Sequence, residues 1–199
     1  MNTRPTAASL DHLLAEIRAC RICAKHLPLG PRPVLQAGTR ARLLIVGQAP
    51  GTRVHATGIP FADPSGDRLR AWLGLTPDQF YDTSRVAIIP MGFCYPGTVA
   101  GGGDLLPAAR CSKTWHAPLF SHLKQIKLTL LVGRLAQERY LPNPRSSMSE
   151  AVTNWRDYLP EYVPLPHPSW RTIGWARKNP WFEAEMLPEL RARIADILK

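Results

Sequence analysis

Four cysteines and one strand-ending loop hold the residues of this chain whose types and spacing point to chemistry. Cys20 and Cys23 form a C-x-x-C pair, with Cys94 and Cys111 far downstream. Residues 1–9 are polar and lack the apolar core of a leader, so the chain reads as cytoplasmic. Disulfides are disfavoured there, and four such cysteines point instead to thiolate ligation. Converging, they would hold either a tetrahedral zinc ion or a cubane iron-sulfur cluster, and spacing alone does not choose. The second group begins where the apolar run Leu43-Leu44-Ile45-Val46 ends on Gly47-Gln48-Ala49-Pro50-Gly51. It continues through Thr57-Gly58-Ile59-Pro60-Phe61-Ala62-Asp63-Pro64-Ser65-Gly66-Asp67. Two turns carrying two acids at the end of a buried strand shape a pocket, at the edge where open α/β sheets place their ligands. His167, between Pro166 and Pro168, follows another short apolar run and falls at the same edge.

The elements that must position these groups follow from periodicity. Helical spacing of Leu10, Leu13, Leu14 and Ile17 predicts a helix over 9–19 that delivers the C-x-x-C at its end. Strands are predicted at 42–46, 85–89, 127–132 and 162–165. Helices are predicted at 65–73, from 76, at 107–124, at 134–140 and at 181–198, and Ser147 and Glu150 form a capping-box pattern for a helix running through Trp155 and Tyr158. The proline-dense stretch 27–33 and the glycine run 100–104 read as loops, and 1–9 as flexible. Strands alternating with helices give an α/β fold. It is a three-layer α/β/α sandwich around a central four-stranded, mainly parallel sheet, with one domain over residues 1–199.

The 25 Lys and Arg against 15 Asp and Glu leave a net charge of +10, which favours a polyanionic partner such as nucleic acid. The longest apolar runs are far too short to cross a bilayer. A monomer is expected, because a site that receives a macromolecule needs an open face.

These residues resemble the uracil-DNA glycosylase superfamily. Its first motif is a strand running into a short glycine-proline loop, as at 43–51, and its last is an H-P-S segment, as at His167-Pro168-Ser169. The leading helix, the C-x-x-C, the third cysteine after the second strand and the fourth in the next helix resemble the iron-sulfur branches, families 4 and 5. The resemblance implies a structural [4Fe-4S] cluster on Cys20, Cys23, Cys94 and Cys111, with zinc as the alternative. It implies DNA as partner and a flipped base stacked on Phe61 in a pocket formed with Gly47, Gln48 and Ala49. His167 would donate to the base as negative charge develops. Trp170 and Arg171 would enter the minor groove with Ser169 beside them. Apart from the resemblance, His55 lies in the loop between the two halves of the pocket, where it either assists water or binds phosphate or is a solvent-facing loop histidine.

The departures carry as much meaning. Family 4 has a glutamate where Gln48 stands, the classical enzymes have an aspartate where Ala49 stands, and the asparagine expected after the second strand is replaced by Pro90. Family 5 shares the alanine and is thought to use an aspartate after the T-G-x-x-F segment. That implies Asp63 as the anion beside the sugar, in a segment one residue shorter than family 5's, with Asp67 charging the start of the next helix and Gln48 reading the base through its amide. The expected function is hydrolysis of the N-glycosidic bond of uracil or a related deaminated base in DNA. The alternative is a DNA-binding module that keeps the fold and cluster with weak or no catalysis. A third reading, an enzyme on free nucleotides, requires that duplex DNA not bind.

Overall fold

The computed structural model describes residues 9–99, 101 and 103–199; the expected flexibility of 1–9 falls, but for Ser9, outside the described residues. Along the chain run α1 (Leu10–Arg18), β1 (Leu43–Val46), α2 (Thr52–Thr57), α3 (Pro64–Leu73), α4 (Pro77–Tyr81) and β2 (Val86–Ile88). There follow α5 (Ala109–His122), β3 (Leu128–Val132), α6 (Arg134–Tyr140), α7 (Met148–Thr153), β4 (Tyr162–Leu165), α8 (Thr172–Lys178) and α9 (Leu187–Ile197). The sheet has the order β2-β1-β3-β4, and every pairing is parallel.

Strands buried on both faces explain the continuous apolar runs. Leu43 and Ile45 of β1 face Leu69, Trp72 and Leu73 of α3 and Leu190 and Ile194 of α9. Leu44 and Val46 face Leu10, Leu13, Leu14 and Ile17 of α1 and Leu119 of α5. These two cores make the three layers. Each fully buried large side chain, such as Phe80 or Trp155, contributes roughly 1.5–3 kcal/mol of transfer free energy. The open edge beyond β2 is covered by Gln36. Its backbone exchanges bonds with Ile88, and its buried amide donates to Phe80 O (3.1 Å) and Val86 O (2.8 Å).

Caps set the helix starts. Ser9 Oγ accepts the His12 N–H at 3.2 Å, and Thr76 and Gln79 form a reciprocal capping box. Three expectations are corrected, and one element, α8, falls where the sequence marked none. Residues 52–57 are helical, not loop, between Gly51 and a left-handed Gly58. The helix opened by Ser147 stops at Thr153 and continues only as a 3-10 turn through Trp155–Tyr158, and Glu150 turns its carboxylate to Ser146 rather than to Ser147. Residues after the H-P-S segment form α8. The last helix opens with a π-helical stretch, Phe182–Met186, where Pro188 has no N–H to return to the carbonyl four residues back.

Candidate functional site

β1, β2 and β4 run in one direction, so Gly47, Pro90 and His167 leave the sheet at the same edge. Past the strand ends, the Met91 N–H donates to Gly47 O (2.8 Å) and the Gly92 N–H to Gln48 O (3.0 Å), which holds the β1 and β2 loops together. Here lies a pocket lined among others by Gly47, Gln48, Ala49, Phe61, Asp63, Pro90, Asp104 and His167. Every residue expected to handle a base or its bond is therefore on one surface.

Phe61 is held in an unusual way. Its φ is 54°, a left-handed conformation that a bulky residue keeps only when its surroundings enforce it. Tyr81 Oη donates to Pro60 O at 3.0 Å, and Arg70 Nη1 donates to Phe61 O at 3.4 Å. A Cβ on Gly66 would lie 1.7 Å from Phe61 O, so only glycine lets the first turn of α3 pack against this carbonyl. The ring is braced edge-on by Phe80, with centroids 6.1 Å apart, and its rim comes within 3.3 Å of where a side chain on Gly47 would begin.

Asp63 is the N-cap of α3: its Oδ1 accepts the Gly66 N–H at 2.8 Å, with Pro64 in the first turn. Asp67 charges that turn, as expected, and pairs with Arg70 at 2.5 Å. The Gln48 side chain makes no hydrogen bond among the described residues and lines the pocket. His167 is solvent-exposed at the pocket, yet partial desolvation there pushes its imidazole below the usual range, and the carboxylates of Asp63 and Asp104 oppose that shift.

The loop after β4 is tied at both ends. The Ser169 N–H (2.8 Å) and the Thr172 hydroxyl both donate to His167 O, and Arg68 of α3 donates from Nη1 to Ser169 O at 2.5 Å. Ser169 is thus occupied in shaping the turn. Trp170 is 70% exposed beside the pocket, with the Arg171 guanidinium carbon 5.0 Å from its ring centroid. His55 sits apart on α2, tilted toward Tyr95, with Nδ1 buried and no hydrogen-bond partner among the described residues. It does not line the pocket.

Asp104 is the pocket residue that sequence reading missed. The glycines before it read as a loop, yet a single acid after such a run is a signal that a flexible segment delivers a charge to a site. Although the residue is exposed, partial desolvation and the nearby Asp63 push its carboxyl above the usual range, and His167 and Arg171 oppose this.

A second cavity is lined by all four cysteines, together with Pro31, Pro33, Phe93 and Trp115. Burial pushes the Cys111 thiol up to about 12. An N–H from Phe93 opposes the shift, and the neighbouring Cys94, Cys23 and Cys20 add to it. The Arg32 N–H points to Cys94, while its guanidinium donates to Ala56 O at 2.9 Å, linking this cavity to α2. Among the described residues, no three His, Cys, Asp or Glu side chains are gathered closely enough to hold a single metal ion. Four thiols around one cavity, with N–H groups aimed at the sulfurs of Cys94 and Cys111, are a donor set that suits either a four-thiolate zinc ion or an iron-sulfur cluster.

An open parallel sheet gathers at its carboxyl edge an aromatic ring, an amide, carboxylates and an imidazole, groups whose chemistry can stack on and hydrogen-bond a planar polar ligand. Residues 35–191 match the Uracil DNA glycosylase superfamily, and the chain belongs to that superfamily. Its members typically are glycosylases acting on DNA, so a DNA glycosylase-like function is the class in which the pocket is to be read. The match begins after Cys20 and Cys23 and does not draw on them. No helix among the described residues is long and apolar enough to cross a membrane.

Proposed function

We propose that this protein is a monofunctional DNA glycosylase of the iron-sulfur kind, similar to families 4 and 5, that hydrolyses the N-glycosidic bond of uracil or a related deaminated base. The observation that carries the reading is the meeting of Gln48, Phe61, Asp63 and His167 on one pocket in a chain of this superfamily. Breaking the bond builds positive charge on the sugar and negative charge on the departing base, so a site needs an anion on one side and donors on the other. Asp63 supplies the anion. His167 and the Gln48 amide face the base, which stacks on Phe61, and Gly47 and Ala49 leave room for its edge. Trp170, carried with Arg171 at the rim, fills the space left by the flipped nucleotide. The excess of 25 basic over 15 acidic residues draws the chain to the phosphates.

Cys20, Cys23, Cys94 and Cys111 would hold a [4Fe-4S] cluster with a structural task. The four thiols that line one cavity, in a chain of this superfamily, support the cluster, with zinc as the alternative. The protein would act as a cytoplasmic monomer.

The test is base release from end-labelled duplexes containing uracil, hypoxanthine or xanthine, with abasic sites revealed by alkaline cleavage. Release by the native protein that falls at least 100-fold in Asp63→Asn is expected, because the anion's stabilisation of the developing sugar cation is lost. Gln48 and Pro90, where family 4 carries a glutamate and an asparagine, favour the second reading, a DNA-binding module. Salt-sensitive duplex binding with no release from any of the three would establish that reading instead.

A further inference from the structure

Asp104 has no task in the scheme above, and its surroundings give it one. A hairpin delivers it: the Val99 N–H donates to Gly103 O (2.9 Å), the Leu105 N–H donates to Gly97 O (2.8 Å), and Thr98 and Asp104 face each other in an antiparallel bridge. Its Oδ2 comes to 3.8 Å from where a Gly51 side chain would begin, which sets the carboxylate over the loop that leaves β1. Among the described residues, neither of its carboxylate oxygens accepts a hydrogen bond, whereas Asp63 has Oδ1 committed to the Gly66 N–H at 2.8 Å. One acid of the pocket is locked by a helix cap, and the other is unencumbered on a hairpin.

We propose that the two carboxylates divide the hydrolysis: Asp63 faces the sugar as positive charge develops there, and Asp104 is the general base that takes the proton of the attacking water. The assignment rests on the glycosylase reading. An acceptor for water's proton needs a free oxygen aimed into the pocket and a basicity nearer the working pH than an ordinary carboxylate has. Asp104 has the first by geometry, and the upward shift from partial desolvation and from Asp63 supplies the second. In the step, the water oxygen bonds to C1′ and its proton passes to Asp104. The C1′–N bond breaks with its electron pair leaving on the base, which His167 and Gln48 receive. The base then takes a proton from solvent, and Asp104 returns its own to solvent, so one water is consumed for each base and abasic site formed.

The test is single-turnover release from a uracil duplex between pH 5 and 9 by native protein, Asp104→Asn, Asp104→Ala and Asp63→Asn, each with and without sodium azide. Azide is an anion that attacks carbon without a proton to remove. The expected result is a loss of about 100- to 10,000-fold in the Asp104 variants, with the acidic limb of the pH profile gone. Azide should restore release in both and leave azide bonded at C1′, while Asp63→Asn gains nothing. Unchanged melting temperature and unchanged binding of an abasic duplex separate lost chemistry from lost folding. Asp104 variants within about threefold of native, or variants that azide does not restore, overturn the role of Asp104 while native release leaves the glycosylase reading standing. No release by the native protein overturns that reading, and this assignment with it.

Discussion

A helix cap and a pocket acid are usually different side chains, but Asp63 is both: one carboxylate oxygen closes the first turn of α3 while the residue lines the pocket. Its orientation is therefore fixed before any substrate arrives, which is what electrostatic stabilisation of a developing charge requires. His116 shows the same economy out of sight of the pocket. It is 2% exposed, stacked between Phe93 and Tyr140 with ring centroids 5.7 and 5.8 Å away. Its Nε2–H donates to Pro90 O at 3.0 Å, and since that oxygen can only accept, Nδ1 is the acceptor for the Tyr140 hydroxyl at 2.5 Å. Pro90 lines the pocket, so a buried neutral imidazole holds part of its wall. Burial drives this imidazole from 6.5 down to about 4, the bond to Pro90 opposing and Arg139 reinforcing the shift. Between those two values the unfolded chain binds the proton and the folded one does not, so stability falls as the pH drops through that window. At about 1.4 kcal/mol per pH unit, the whole window is worth about 3 kcal/mol. Urea unfolding at pH 7 and pH 5 should show native protein losing about 2 kcal/mol more than His116→Gln. Equal losses would mean that His116 does not titrate on unfolding.

At the scale of elements, the pocket is made by the contact between the Phe61 turn and the first turn of α3. Gly66→Ala puts a methyl group 1.7 Å from where Phe61 O now lies, and neither a backbone carbonyl nor a helix start can yield that much without moving. The substitution should cost more than about 2 kcal/mol in chemical denaturation and displace Phe61 and Asp63 together, so that base release falls with stability. A variant as stable and active as native would mean that the turn is free to shift, contrary to its packing. This contact was not legible in the sequence, where Gly66 reads only as part of a small-residue turn. The strands were legible, because a parallel strand buried on both faces must be a continuous apolar run: 162–165 matches β4, and the other three differ from the observed strands by a residue or so at their ends. The long amphipathic helices were legible for the same reason. What escaped depends on contacts distant in sequence or on a single residue. α2 is one and a half turns without a full amphipathic face, α8 begins inside a functional loop, and the π-helical stretch follows from Pro188 alone. The site divides likewise. Gln48, Phe61, Asp63 and His167 could be found by motif, whereas Asp104 enters the pocket only because a hairpin folds across it.

For the molecule as a whole, the two cavities are lined from shared segments, Pro33 and Val34 before β1 and Pro90 and Gly92 after β2. α1 and the loop after it carry Cys20 and Cys23, the chain beyond β2 carries Cys94, and α5 carries Cys111. The proline-rich stretch between α1 and β1 has few backbone bonds of its own, and Val34 N–H to Phe93 O at 2.7 Å is one of them. Holding four thiolates in one cluster would pin this stretch to β2 and α5. Arg32, with its N–H toward Cys94 and its guanidinium on Ala56 O, would carry the restraint to α2, on the far side of the Gly47–Gly51 loop. The expected consequence is that metal loss is felt first as stability and second as activity. Group binding in the folded state adds its free energy to folding, because the unfolded chain offers no assembled site. Cys111→Ser should leave the protein short of iron and sulfide, and if the lost ligation is worth about 3 kcal/mol the melting temperature falls by roughly 6–12 °C. Base release should fall in parallel, while duplex binding through surface arginines keeps its salt dependence. Iron and sulfide assays on anaerobically purified protein, with melting curves of native and variant, decide the matter. Four irons per chain lost together with the melting temperature would establish the staple, whereas one zinc per chain in the native protein, or a variant that melts with the native, would remove it.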